Sequence, residues 1–115
     1  MRFYRFKLIN VGSLSAGGST EKSWTADEDY TIKRIYAVET TETAVGLQFL
    51  TATLRVDDYT FTTDSIPLSM LDGYKNQVPE IDVNFAKGRT FYASVTNNHS
   101  SSAISCYLVL ELWKQ

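Results

Sequence analysis

His99 is the only histidine of the chain and Cys106 the only cysteine, and together they bound the chemistry available to side chains. A Ser-His-Asp triad needs a histidine held beside a nucleophile in a pocket that excludes water. His99 falls instead in the run N-N-H-S-S-S, a polar hairpin tip, and reads as a loop histidine. One histidine and one cysteine do not supply a common structural zinc site, which takes four such ligands. Cys106 lies on the inward phase of an alternating strand, where a free thiol behaves as a small buried hydrophobe. With no second cysteine no intrachain disulfide forms, which fits a reducing compartment.

Carboxylates cluster at Asp27-Glu28-Asp29, at Asp57-Asp58 and at Glu80 with Asp82. A calcium site built from Asp27, Asp29 and one of Asp57 or Asp58 would have the oxygen ligands that ion takes. No EF-hand spacing is present, and turn chemistry accounts for all of these residues. A glycosidase needs two carboxylates across a cleft, and the sequence places no such pair. Gly17-Gly18 lacks the spacing and the lysine of a phosphate-binding loop and leads into a strand. Asn98-His99-Ser100 matches a glycosylation acceptor, but no secretory signal accompanies it. No catalytic group, metal or cofactor is expected, so the protein reads as a non-enzyme.

The side chains that stand out are aromatic. Phe, Tyr and Trp make up 13% of the chain, more than the inward strand positions hold. Tyr92, Tyr107 and Trp113 fall on outward phases of the closing strands. Phe3, Tyr4, Arg5 and Phe6 open a first strand that carries aromatic or apolar groups on both faces. Aromatics on an outer face point to burial against another chain or to stacking on a sugar ring. These seven residues are the candidate contacts for a subunit or ligand.

The elements that must position them are strands. From Pro79 to Trp113 three runs alternate with a period of two. Ile81, Val83 and Phe85, then Phe91, Ala93 and Val95, then Ile104, Cys106, Leu108, Leu110 and Leu112 take the buried phase. Lys87-Gly88 and 96–100 separate the runs, which predicts an antiparallel sheet with one wet side. In residues 2–11, Tyr4, Phe6 and Leu8 share one face and Phe3, Arg5, Lys7 and Ile9 the other. The segment is either an edge strand with Arg5 and Lys7 facing water as protection or an arm that pairs with a neighbouring subunit. Tyr30–Val38 changes phase at Lys33-Arg34. A one-residue bulge there would return Tyr30 and Ile32, and Ile35 and Ala37, to the core side. Without one, Tyr36 and Val38 continue the first phase and Arg34 shares it. In 45–56, Leu50, Ala52, Leu54 and Val56 point inward, and Asp57-Asp58 turns the chain into Tyr59–Thr63 as a hairpin. A short helical turn is expected near 66–72, capped by Ser65, stopped at Gly73 and packed through Ile66, Met70 and Leu71.

With 115 residues and 43% apolar content, the chain is one domain, 1–115, able to bury a core unaided. Residues 1–12 form the arm or edge strand. Seven to nine short strands with turns every 8–12 residues and one helical turn predict an all-β, single antiparallel β-sandwich of jelly-roll-like form. A net charge of −2 argues against nucleic acid as a partner, since that needs a concentrated basic surface. No run is long enough to span a membrane, and Arg5 and Lys7 interrupt any apolar stretch that would make the first residues a signal peptide.

Two segments carry a resemblance. S-A-G-G-S-T-E-K-S-W-T-A-D-E-D-Y-T-I-K-R-I-Y, at 15–36, resembles the opening strands of small jelly-roll-like virion structural proteins of phages and archaeal viruses. F-A-K-G-R-T-F-Y-A-S-V-T-N-N-H-S-S-S-A-I-S-C-Y-L-V-L-E-L, at 85–112, resembles their final hairpin. The resemblance is one of strand and turn style and transfers no functional residue. It implies a capsid, decoration or spike-like subunit that works by homo-oligomerising or by contact with other virion proteins, assembled in the host cytoplasm. The alternative is a carbohydrate-binding module or adhesin tip, with Trp24, Tyr92, Tyr107 or Trp113 stacking on a glycan and loop carboxylates holding calcium.

Overall fold

A computed structural model describes residues 4–75 and 77–115. Phe3, one of the candidate contacts, lies outside the described residues. The strands follow from alternation: β1 (Tyr4–Leu14), β2 (Ser19–Thr25), β3 (Tyr30–Glu39), β4 (Leu50–Val56), β5 (Tyr59–Thr60), β6 (Ile66–Pro67), β7 (Val83–Phe85), β8 (Thr90–Asn97) and β9 (Ile104–Lys114). They form two antiparallel sheets, ordered β1-β9-β3-β7 and β2-β8-β4-β5, with β6 also on β4. First pairs with last throughout: β1 with β9, β2 with β8, β3 with β7 and β4 with β5. This is one long antiparallel hairpin rolled into a sandwich, the jelly-roll arrangement. Its tip is the expected turn at Asp57-Asp58, where Asp57 takes a positive φ of 49°.

The inward phases meet as one core between the sheets. Leu50, Ala52, Leu54 and Val56 are buried as expected, and so are Val83, Phe85, Phe91, Ala93, Val95 and the inward set of β9. Ile81 is only partly buried and lies in a loop. The bulge in β3 is present: pairing with β9 shifts between Ile32 and Arg34. It returns both Ile32 and Ile35 to the core and leaves Lys33 and Arg34 together on the outside.

Three expectations need correcting. The closing runs are not one three-stranded sheet. β7 and β9 lie in the first sheet on either side of β3, and β8 lies in the second. Alternation tells a strand which face is inside but not which strand is its neighbour. β9, apolar on nearly every phase, takes a central place with ladders on both sides.

The helical segment is also different. Ile66–Pro67 pairs with β4, and only Leu68–Leu71 turns, as a 3-10 helix. Three residues per turn put Leu68 and Leu71 on one side, so these are buried while Met70 is exposed. Ser65 caps nothing, and its hydroxyl lies 3.2 Å from Thr53 Oγ1.

Finally, Arg5 and Lys7 do not simply face water along the edge. They occupy the phase of β1 that looks towards the second sheet, at the open end of the sandwich. There the Arg5 guanidinium donates to Tyr30 Oη, and Lys7 Nζ lies 5.3 Å from the centroid of the Trp24 ring. Residues 4–14 pair with β9 of their own chain as an edge strand.

Candidate functional site: the outer face of the first sheet

The register of β1, β9 and β3 lays out the outer face in four rows. Tyr4, Trp113 and Thr31 form one. Phe6, Glu111 and Arg34 form the next, followed by Leu8, Val109 and Tyr36, and then Asn10, Tyr107 and Val38. The face is mostly apolar, and its β1 side is open: Tyr4, Phe6 and Leu8 are 58%, 64% and 48% exposed. Towards β3 it dips into a groove of 270 Å³ lined by Phe6, Tyr36, Val38, Gly73, Tyr74 and Val109. The exposed apolar side chains are thus neighbours on one sheet rather than scattered singly over the surface.

Glu111 stands in the middle of this face, and yet only 5% of it is exposed. A buried carboxylate needs partners, and it has three. Arg34 Nη1 donates to Oε2 at 3.1 Å, Trp113 Nε1 to Oε2 at 2.8 Å, and Tyr36 Oη to Oε1 at 2.8 Å. Burial, and then its bond to Glu111, push the Tyr36 hydroxyl above its ordinary value. The carboxylate thus ties three side chains together on the sheet. Trp113 is held further by Tyr4, edge-on at 4.5 Å, and by Lys33 Nζ, 4.7 Å from its ring centroid. Lys33 in turn bonds Asp82 and Glu80, which raise its pKa in that order.

The candidate residues are therefore only partly brought together. Tyr4, Phe6, Tyr107 and Trp113 share this face. Arg5 does not; it lies on the opposite phase of β1, half-exposed at the open end of the sandwich. Tyr92 lies on the outer face of the opposite sheet, among Ser23, Ser94 and Thr53, with the Arg55 guanidinium 3.8 Å from its ring centroid. Trp24 turns inward against Tyr30 and Phe85, at 6.3 Å and 5.7 Å. Leu8, Arg34, Tyr36, Val38, Val109 and Glu111 were missed as site residues. Two signals pointed to them. Accepting the bulge at Lys33-Arg34 puts Tyr36 and Val38 outside, and Glu111 is the lone charge among Tyr107, Val109 and Trp113 on the outward phase of β9.

The other chemical candidates have structural occupations. His99 Nδ1 accepts the backbone N–H groups of Ser101 and Ser102 at 3.1 Å and 2.9 Å, and its ring meets Phe49 edge-on at 4.6 Å. Buried Asn97 orders the same loop, donating to the carbonyls of Leu14 and Ser102 and accepting from His99 N–H. Cys106 is fully buried, and burial pushes its thiol up to about 12. Asp27 accepts from Tyr30 Oη, Asp29 from Lys87 N–H, and Asp57 from Thr90 N–H and Arg89. Among the described residues no three His, Cys, Asp or Glu side chains converge as metal ligands, and no helix is long and apolar enough to cross a membrane. No family model matches the chain, and no curated protein or solved structure shows a significant likeness to it.

Proposed function

We propose that this protein is a non-enzymatic structural subunit of a virion, a capsid, decoration or spike-like protein that works by assembling with copies of itself. The observation that carries the reading is the outer face of the first sheet: a long edge strand with Tyr4, Phe6 and Leu8 exposed, continuous with an apolar groove. Burying such a face against another copy releases its hydration water, which drives association. The rolled topology supports the virion part by fold analogy, since jelly rolls recur in viral shells but also in lectins and other proteins. On this reading the protein belongs to the virion and assembles in the host cytoplasm, with itself or other virion proteins as partners. Light scattering and native mass measurement over a concentration series test the assembly. A defined oligomer is expected, and a chain that stays monomeric at the highest concentration removes the reading. Electron microscopy of the assembled material then separates shell or spike particles from a small soluble oligomer.

A further inference from the structure

We infer that two copies of this chain pair antiparallel through the free edges of β1, with Leu8 on the two-fold axis, to join their first sheets into one. This rests on the self-assembly reading above and names its surface. β1 bonds to β9 on one side, and among the described residues no strand pairs with it on the other. Its free row of N–H and C=O groups therefore fits a strand, and natural proteins usually blunt such an edge. The remaining edges are blunted. β5 and β6 are two residues long and β7 three. β2 alternates polar residues, and its one large apolar side chain, Trp24, is turned inward. Only β1 is both long and apolar on its exposed phase.

The charges choose the register. Like charges directly opposite one another oppose pairing. An axis through Phe6 sets Arg5 against Lys7, and an axis through Lys7 sets that residue against itself. An axis through Ile9 runs into the irregularity between Asn10 and Gly12, leaving only Leu8, Ile9 and Asn10 to pair. An axis through Leu8 sets Lys7 opposite Ile9 and Phe6 opposite Asn10, with no like charges facing. It also gathers Leu8 and Phe6 of both copies on the outer face, as opposed and diagonal neighbours. Arg5 and Lys7 thus exclude the competing registers while leaving this one open.

Cysteine cross-linking reads the register directly. Directly opposed residues have Cα atoms about 4.5–5.5 Å apart, within the reach of a disulfide. The two Phe6 residues of the pair would lie about 13 Å apart along the strands. Leu8, Phe6 and Asn10 are exposed, so replacing them leaves the fold intact, which circular dichroism verifies. Cys106 is fully buried and does not compete for mild oxidant. Leu8→Cys is expected to form a covalent dimer alone. Phe6→Cys is expected to form one only when mixed with Asn10→Cys. If the unmodified protein associates but these variants cross-link without this pattern, or not at all, the β1 pairing is overturned while self-assembly stands. A protein monomeric at every concentration overturns both.

Discussion

At the scale of single residues, burial makes Cys106 and Tyr30 hold their protons, and this gives the protein a particular pH response. Cys106 is pushed from 9.0 up to about 12 by burial, with Glu39 adding to it. Tyr30 is pushed from 10.0 up to about 12, by burial first and then by its bond to Asp27. Both hold their protons more tightly folded than unfolded. Their contribution to stability is therefore complete below pH 9 and is lost as pH rises towards 12. Lys33 and Tyr36, both raised, act in the same direction. Asp27 is lowered, chiefly by accepting from Tyr30, so its contribution is lost only as pH falls through the acid range. Urea unfolding at stepped pH is expected to show stability falling above pH 9, with Cys106 contributing on the order of 1 kcal/mol per pH unit. Cys106→Ala, which has no thiol to ionise, is expected to flatten that slope. An identical alkaline slope in the variant would show that the thiol is not what titrates. Glu111 accepts from Arg34, Tyr36 and Trp113 at once, and so fixes the positions of three side chains on the outer face.

At the scale of the elements, the bulge in β3 determines what the candidate face contains. Tyr30 and Ile32 precede it on the core phase, and Ile35 and Ala37 follow it on the same phase. The extra residue places Lys33 over Trp113 and Arg34 on Glu111. Deleting Lys33 leaves Y-T-I-R-I-Y-A-V, which alternates without interruption and keeps every core residue inward. The deletion variant is expected to fold with a loss of about 1 kcal/mol, the worth of the cation–π contact and part-exposed ion pairs it removes. Deleting Tyr36 instead reverses the phase of Ala37 and Val38 against β9 and is expected to prevent folding. Chemical denaturation and a far-ultraviolet spectrum distinguish the two; equal tolerance of both deletions would mean that the bulge does not set the phase. This bulge was readable in the sequence because a break in alternation is a local event, and so were the inward sets of β4, β8 and β9 and the hairpin at Asp57-Asp58. Sheet membership was not readable, because the pleat repeats every two residues whichever neighbour is present. Tyr92 therefore looked like a companion of Tyr107 and Trp113 and lies on the opposite sheet. Phe6 and Tyr36 show the same limit at the site: each was visibly outward or ambiguous, but only the pairing with β9 sets them on either side of Glu111 and Val109.

At the scale of the whole molecule, the roll orders the contacts by distance along the chain. At its tip Val56 faces Tyr59; at its open end Tyr4 faces Trp113. Closing a loop costs entropy that grows with the logarithm of its length, so pairing that starts near the tip and proceeds outward closes each ladder from the one before it. β4 with β5, then β4 with β8, precede β1 with β9. Folding dominated by such long-range pairing belongs to the slow end of single domains, about milliseconds to seconds. In stopped-flow refolding, Leu54→Ala, in the β4 ladder, is expected to slow folding. Ile9→Ala, in β1, is expected mainly to speed unfolding, since its contacts form after the transition state. Both side chains are buried, so each substitution costs about 2–5 kcal/mol, well above the threshold for a usable ratio of rate to stability effects. A ratio near one for Ile9 and near zero for Leu54 would reverse the order and make the terminal strands the nucleus. The expected order bears on assembly too. If β1 docks last, its free edge and the apolar face beside it come into being only once the rest of the sandwich exists. Chains would then meet through β1 as folded subunits, rather than through strands exposed during folding, where an apolar edge promotes aggregation.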